Sequence, residues 1–139
     1  MKNITLVFTV FFSMFGCSIA SENPMRQQDY RFIAEIIDSG ELSGYWHIDH
    51  FPDRSPLVID VPSELSIGTN GLFKFGQPVE FVEELTQKNA VFFIQEVIEE
   101  ADNVKRIKFS YPPEGIRGTA IFSEKSGQWH LQKVELTES

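Results

Sequence analysis

The densest group of residues able to do chemistry is the run Tyr45-Trp46-His47-Ile48-Asp49-His50-Phe51-Pro52-Asp53-Arg54. In an extended chain alternate side chains share a face, so His47 and Asp49 would stand together. That pair could serve as a carboxylate-oriented imidazole or as two ligands of a metal. His50 would point the other way unless Phe51-Pro52 turns the chain, and the third histidine, His130, lies far along the sequence. A metal centre needs three converging ligands, and acid–base catalysis needs a set of groups in mutual reach. One local cluster supplies neither. The reading is therefore no catalytic set, no metal and no organic cofactor; were the chain an enzyme, His47, Asp49 and His130 would be its acid–base groups. A plainer arrangement has Trp46 and Phe51 anchoring a loop, Asp49 or Asp53 pairing with Arg54, and the histidines at a rim. The glycines between Gly68 and Gly76 do not join a strand to a helix in the manner of a phosphate loop, and no serine sits in a nucleophile-elbow sequence.

Charge narrows the partners. The 139 residues carry a formal net charge of −8, and Lys2 is the only charged residue of the first 20. The remaining 119 therefore hold 11 basic and 20 acidic side chains, or −9. A phosphate-backbone binder needs a basic footprint, so nucleic acid is excluded as a partner. Acidic stretches at Glu80, Glu83, Glu84 and at Glu96, Glu99, Glu100, Asp102 could instead steer a basic protein.

The N-terminus reads as an address. After Lys2, residues 4–15 form an uncharged, mainly apolar run of 12. That is too short for a membrane-spanning helix, which takes roughly 20 residues, and suits the h-region of a secretory signal peptide. Ser18-Ile19-Ala20 places small residues for a cut before Ser21, giving a signal peptide over 1–20 and a single domain over 21–139. Met14-Phe15-Gly16-Cys17 also resembles a bacterial lipobox, which implies an alternative product lipidated at Cys17. The expected location is periplasmic or secreted, or membrane-anchored only through that lipid. Either product leaves no free thiol, because Cys17 is the only cysteine.

The mature chain reads as a helix followed by strands. Asn23-Pro24 suits an N-cap with proline at the first helical position. Tyr30, Ile33, Ile36 and Ile37 recur at helical spacing with Phe32 beside them, and Gly40 is placed to end the helix. Pro56 to Val61 suggests a strand, whereas Val79 to Leu85 fits either a strand or a short helix. Four apolar-rich runs near 90–99, 104–111, 116–123 and 128–136 are separated by turn chemistry. Folding at those turns sets Ile94 against Phe109, Phe92 against Tyr111, Tyr111 against Ile116, Phe109 against Gly118 and Ile107 against Ala120. The last turn sets Phe122 against Trp129 and Ala120 against Leu131. All these residues share one face, with Glu96 toward its end, and Val134 and Leu136 fall out of phase with Leu131, which predicts a bulge. The opposite face would carry Phe93, Val97 and Ile121 among His130, Arg106, Lys108 and Thr119.

The expected fold class is α+β: an N-terminal helix packed on a curved antiparallel β-meander of four or more strands. This order of elements, with Gly127-Gln128-Trp129-His130-Leu131 opening the last strand after Glu124-Lys125-Ser126, resembles cystatin-like and NTF2-like rolls. The resemblance implies a pocket between helix and sheet, in a superfamily that hosts isomerases, dehydratases, transport factors and bacterial immunity proteins. Export, acidity and the mixed sheet face together point to a non-enzymatic domain that binds another, basic protein of the cell envelope, as an immunity protein or inhibitor. The expected binding residues are Trp46, His47, Asp49, His50, Phe93, Val97, Ile121 and His130. The alternative is a small-molecule binder or an isomerase- or hydrolase-type enzyme using the helix–sheet pocket.

Overall fold

The structure, a computed structural model, describes residues 24–62, 65, 71–82, 91–101 and 103–139, with 24–30 as backbone only. The proposed signal peptide, Cys17, Asn23, Gly68, Asn70, Leu85 and Asp102 lie outside the described residues. Helix α1 spans Pro24–Ile37 and α2 only Gly40–Ser43. The strands are β1 (Val58–Asp60), β2 (Phe73–Lys74), β3 (Gln77–Pro78), β4 (Glu80–Val82), β5 (Val91–Ala101), β6 (Val104–Tyr111), β7 (Ile116–Lys125) and β8 (Gln128–Glu138). Six of them form one sheet in the order β4-β1-β5-β6-β7-β8, and β2 and β3 form a separate hairpin.

This overturns the α+β expectation. The described chain is mainly β, with a six-stranded sheet and two short helices. Beyond the meander the sheet holds β1, within the strand expected over 56–61, and β4, within the ambiguous Val79 to Leu85; they run parallel to each other, and β1 also runs parallel to β5. What covers the inner face beside α1 is largely irregular chain: Leu42, Trp46, Leu57, Leu72 and Val79 all join the core. These residues are buried one at a time, with no shared period to announce them.

The long meander forms as its alternation requires. Ile94 pairs with Phe109, Tyr111 with Ile116, Phe109 with Gly118, and Ile107 with Ala120. Gly118 answers a steric need, since a Cβ there would lie 2.3 Å from the Phe109 ring. Two details differ. At the last turn Ser126 and Gly127 have φ of 54° and 77°, the left-handed values of a two-residue type I′ hairpin. That tight turn joins Lys125 to Gln128, so Phe122 meets Leu131 and Glu124 meets Trp129. Beyond it Ile121 pairs with Lys133, leaving Gln132 as the bulged residue, and Ala120 meets Val134 rather than Leu131.

The second difference moves a candidate binding residue. Ile94 pairs with Phe109 but Glu96 pairs with Lys108, so Gln95 is an extra residue in β5. The side chains from Glu96 to Glu99 change face, until a second extra residue, Glu100, restores the original alternation at Ala101. Val97 therefore pairs with Ile107 and packs against the core, while Glu96 turns outward to an ion pair with Lys108.

Helix α1 buries Phe32, Ile33, Ile36 and Ile37 against the sheet. Gly40 does not terminate it; Gly40 opens α2, and the chain conformation at that point is not left-handed. The Lys74 ammonium does the capping instead, donating to the Ile37 carbonyl at 2.8 Å and to Asp38 at 2.7 Å. A cation at a helix C-terminus satisfies an orphan carbonyl and complements the helix dipole. At the edge strand β8, Glu35 of α1 accepts a hydrogen bond from the Leu131 backbone N–H at 3.1 Å, blunting the edge beside the Gln132 bulge.

Candidate functional site

The run 45–54 folds into a compact loop held from inside. Trp46 is its root: 5% exposed, with its ring 5.1 Å from Tyr111, 5.8 Å from Phe75 and 6.0 Å from Phe92. It is a core residue and offers no binding surface. The chain then reverses at His47, whose φ of 44° is left-handed. The His47 carbonyl accepts from the N–H groups of His50 and Phe51, and a 3-10 turn over Pro52–Arg54 follows, closed by Ser55 N–H to the Pro52 carbonyl. At the loop's start, the Tyr45 hydroxyl donates to Glu138 at 2.7 Å. The loop backbone is thus held by hydrogen bonds at its reversal and at its 3-10 turn.

Arg54 is the strut. Its side chain is buried, and Nη1 donates to the Trp46 carbonyl at 3.2 Å and to Glu114 at 2.5 Å. The guanidinium lies 4.2 Å from the centroid of the Phe51 ring and 5.8 Å from that of Tyr111. The expected partners Asp49 and Asp53 are instead exposed. Glu114 comes from the 3-10 turn Pro112–Glu114 between β6 and β7, which Gly115 ends at a left-handed φ of 64°. A Cβ on Gly115 would also meet the Ser139 carbonyl at 3.0 Å. A buried guanidinium is tolerated only when paired and hydrogen-bonded, and here the carboxylate and the carbonyl do both.

His47 sits over the same carboxylate, with Nε2 3.7 Å from Glu114, and its ring is 6.4 Å from that of His50. His47, His50 and Asp49 are all exposed. His130 is not with them: it lies opposite Ser123 on β7, roughly 20 Å along the strand from the end that carries Glu114. The trio His47, Asp49 and His130 therefore does not converge. Among the described residues no group of three His, Cys, Asp or Glu side chains could hold a metal ion. Burial pushes the Tyr111 phenol above its ordinary value of 10, although the nearby Arg54 guanidinium pulls the other way, and the buried hydroxyl makes no hydrogen bond of normal geometry.

Outward, the loop shows Phe51, 47% exposed, flanked in sequence by Asp49, His50 and Asp53. The second exposed large apolar residue is Phe73, 60% exposed, on the β2–β3 hairpin, which packs on Trp46 through Phe75. Sequence reasoning missed Glu114, whose Pro-Pro-Glu-Gly context signals only a turn, and it gave Phe51 an anchoring role. Nothing local marks a partnership across sixty positions.

The outer sheet face is a weaker candidate than its composition suggested. Phe93 pairs with Ser110, while Ile121 pairs with Arg106, about 13 Å further along β6. Between them runs the cross-strand row Glu96, Lys108, Thr119 and Glu135. Phe93 and Ile121 are half-buried and do not form one apolar patch.

Comparison with protein-family models, with curated proteins and with solved structures finds no match to this chain. Among the described residues no helix is long and apolar enough to cross a membrane.

Proposed function

We propose that this is an exported, non-enzymatic protein-binding domain of the immunity-protein or inhibitor type, engaging a basic partner of the cell envelope through the loop 47–53. One observation carries the reading: an exposed Phe51 is held face-on to the guanidinium of a buried Arg54 that is itself fixed at both hydrogen-bonding contacts. A large apolar ring that is exposed and yet immobilised loses little conformational entropy on binding, the feature that distinguishes tight recognition loops from flexible ones. Asp49 and Asp53 beside it supply negative charge in a protein already at −8, while the charge of Arg54 is neutralised by Glu114. Such an arrangement steers a basic partner and speeds encounter.

The domain reaches the periplasm by its N-terminal address, released by a cut before Ser21 or retained through Cys17. N-terminal sequencing of the envelope form should begin at Ser21 or find a blocked, diacylglyceryl Cys17; an uncleaved cytoplasmic chain contradicts export.

The binding test compares capture of envelope proteins on the wild type, Phe51→Asp and Phe93→Asp. A basic protein retained by the wild type and Phe93→Asp, lost in Phe51→Asp and weakened by salt, supports the loop. Loss only in Phe93→Asp moves the site to the sheet. No protein partner, together with a small ligand that raises the melting temperature through His47, replaces the reading with the small-molecule alternative.

A further inference from the structure

Four cations occupy the central rows of the outer sheet face: Arg106, Lys108, Arg117 and Lys133. Three have carboxylate partners, Arg106 on Glu100 at 2.7 Å, Lys108 on Glu96 at 2.8 Å and Lys133 on Glu135 at 2.8 Å. Arg117 is exposed, and among the described residues it has no acidic partner. The nearest carboxylate row does not supply one, because the Lys133 ammonium engages Glu135 and holds its carboxyl below the ordinary value. Of these four cations it alone is left without a carboxylate among the described residues.

Arg117 stands at the rim of a depression of about 240 Å³ lined also by Gln95, Lys108, Thr119, Glu135 and Thr137, with Gly118 and Phe109 contributing to its lining. Strand pairing explains why these groups converge. Thr119 lies between Lys108 and Glu135, and Arg117 lies beside Thr137, so their side chains rise from one face in adjacent rows. Gln95 is the bulged residue of β5, the extra position that changes the facing of the strand beside Lys108. The lining thus offers a planar fork of N–H donors, an ammonium held by Glu96, an amide and two hydroxyls, beside one carboxylate, Glu135, that Lys133 engages.

We propose that this depression binds a compact oxyanion, a carboxylate or a phosphate group, with the Arg117 guanidinium as its principal donor and Lys108, Thr119 and Thr137 as supporting donors. Arginine presents two parallel N–H groups that match a carboxylate or phosphate edge, whereas a lysine acts as a point charge. The site is open to water, so its affinity is weak. It lies on the sheet face rather than on the Phe51 loop, and its existence does not depend on that loop binding a protein.

The test is a titration of the isotope-labelled protein with acetate and, separately, with inorganic phosphate, at ionic strength held constant with sodium chloride. The expected result is a saturable shift of amide resonances confined to Gln95, Lys108 and residues 117–119 and 135–137. Response to acetate alone assigns the site to carboxylates, and response to phosphate alone to phosphate groups. Arg117→Gln should weaken binding tenfold or more while leaving the remaining spectrum unchanged. Lys125→Gln, which removes the same charge at the hairpin tip, should leave the affinity as it was. The proposal is overturned by no saturable shift with either anion, by an unaltered response in Arg117→Gln, or by equal weakening in Lys125→Gln.

Discussion

Two ends of the molecule each bury a cation against aromatic rings, and they use it differently. Near α1, Lys105 lies 4.7 Å from the Phe32 ring centroid and 5.0 Å from that of Trp129, with Glu99 at 3.2 Å. Phe32 is itself buried and stacks edge-on against Phe122 at 4.7 Å, so this cation seals a helix onto the sheet. Its counter-ion Glu99 is 72% exposed and contributes little after solvent screening. At the other end, Arg54 has a mostly covered counter-ion, Glu114, and its outward aromatic neighbour Phe51 is open to solvent. One cation closes the core, and the other displays a ring. The difference lies in where the aromatic partner faces, and it separates a packing device from a recognition device.

The strongest way to break that comparison is to remove each cation in turn. Arg54→Met leaves Glu114 without its partner, and breaking a buried pair costs about 3–5 kcal/mol. We expect the lower end, about 3 kcal/mol by urea denaturation, because Glu114 keeps a fifth of its surface in water. Adding Glu114→Gln to Arg54→Met should recover part of that loss, since the orphaned charge goes with it. Lys105→Met should cost only about 1 kcal/mol, because methionine preserves the apolar stem on Phe32 and Trp129 and the lost ion pair is screened. Equal losses at the two sites would contradict the distinction.

Tyr111 sharpens it. Its buried hydroxyl makes no hydrogen bond of normal geometry, so Tyr111→Phe should be neutral or stabilise by up to about 1 kcal/mol. The sign with pH follows from its raised pKa: the folded chain holds the phenolic proton more tightly than the unfolded chain does. That stability is complete below pH 10 and declines as pH rises from 10 toward the folded value. Tyr111→Phe should therefore flatten the alkaline decline of melting temperature, leaving the part due to Tyr45, raised by its hydrogen bond to Glu138. The smallest effect on stability belongs to Phe51→Ala, under about 0.5 kcal/mol by the same denaturation, since the ring is half open to water. Its effect should appear in partner binding.

These expectations rest on parts of the molecule that were unequally legible. The meander was readable because a strand's period of two and three turn sequences constrain each other: Phe109 against Gly118 satisfies both register and volume. Val97 was misplaced because one extra residue, Gln95, inverts the facing of the residues that follow it and leaves no local mark. The fold class was misjudged because β1, though legible as a strand, and the ambiguous β4 join the sheet by parallel pairing that no local turn announces. At the candidate site the loop itself was visible as a cluster of Trp, His, Asp and Arg. Its decisive contact, Arg54 on Glu114, joins residues sixty positions apart and depends on the sheet being in place first.

The central claim is that Arg54 holds the Phe51 loop in one conformation before any partner arrives. Backbone amide order parameters for residues 47–54 test it most directly, measured on the wild type and on Arg54→Met under conditions where both are folded. The account predicts values near 0.85 across the loop in the wild type, falling below about 0.6 in the variant while β5 to β8 stay unchanged. A loop already below about 0.6 in the wild type, or one equally rigid without the guanidinium, would contradict it.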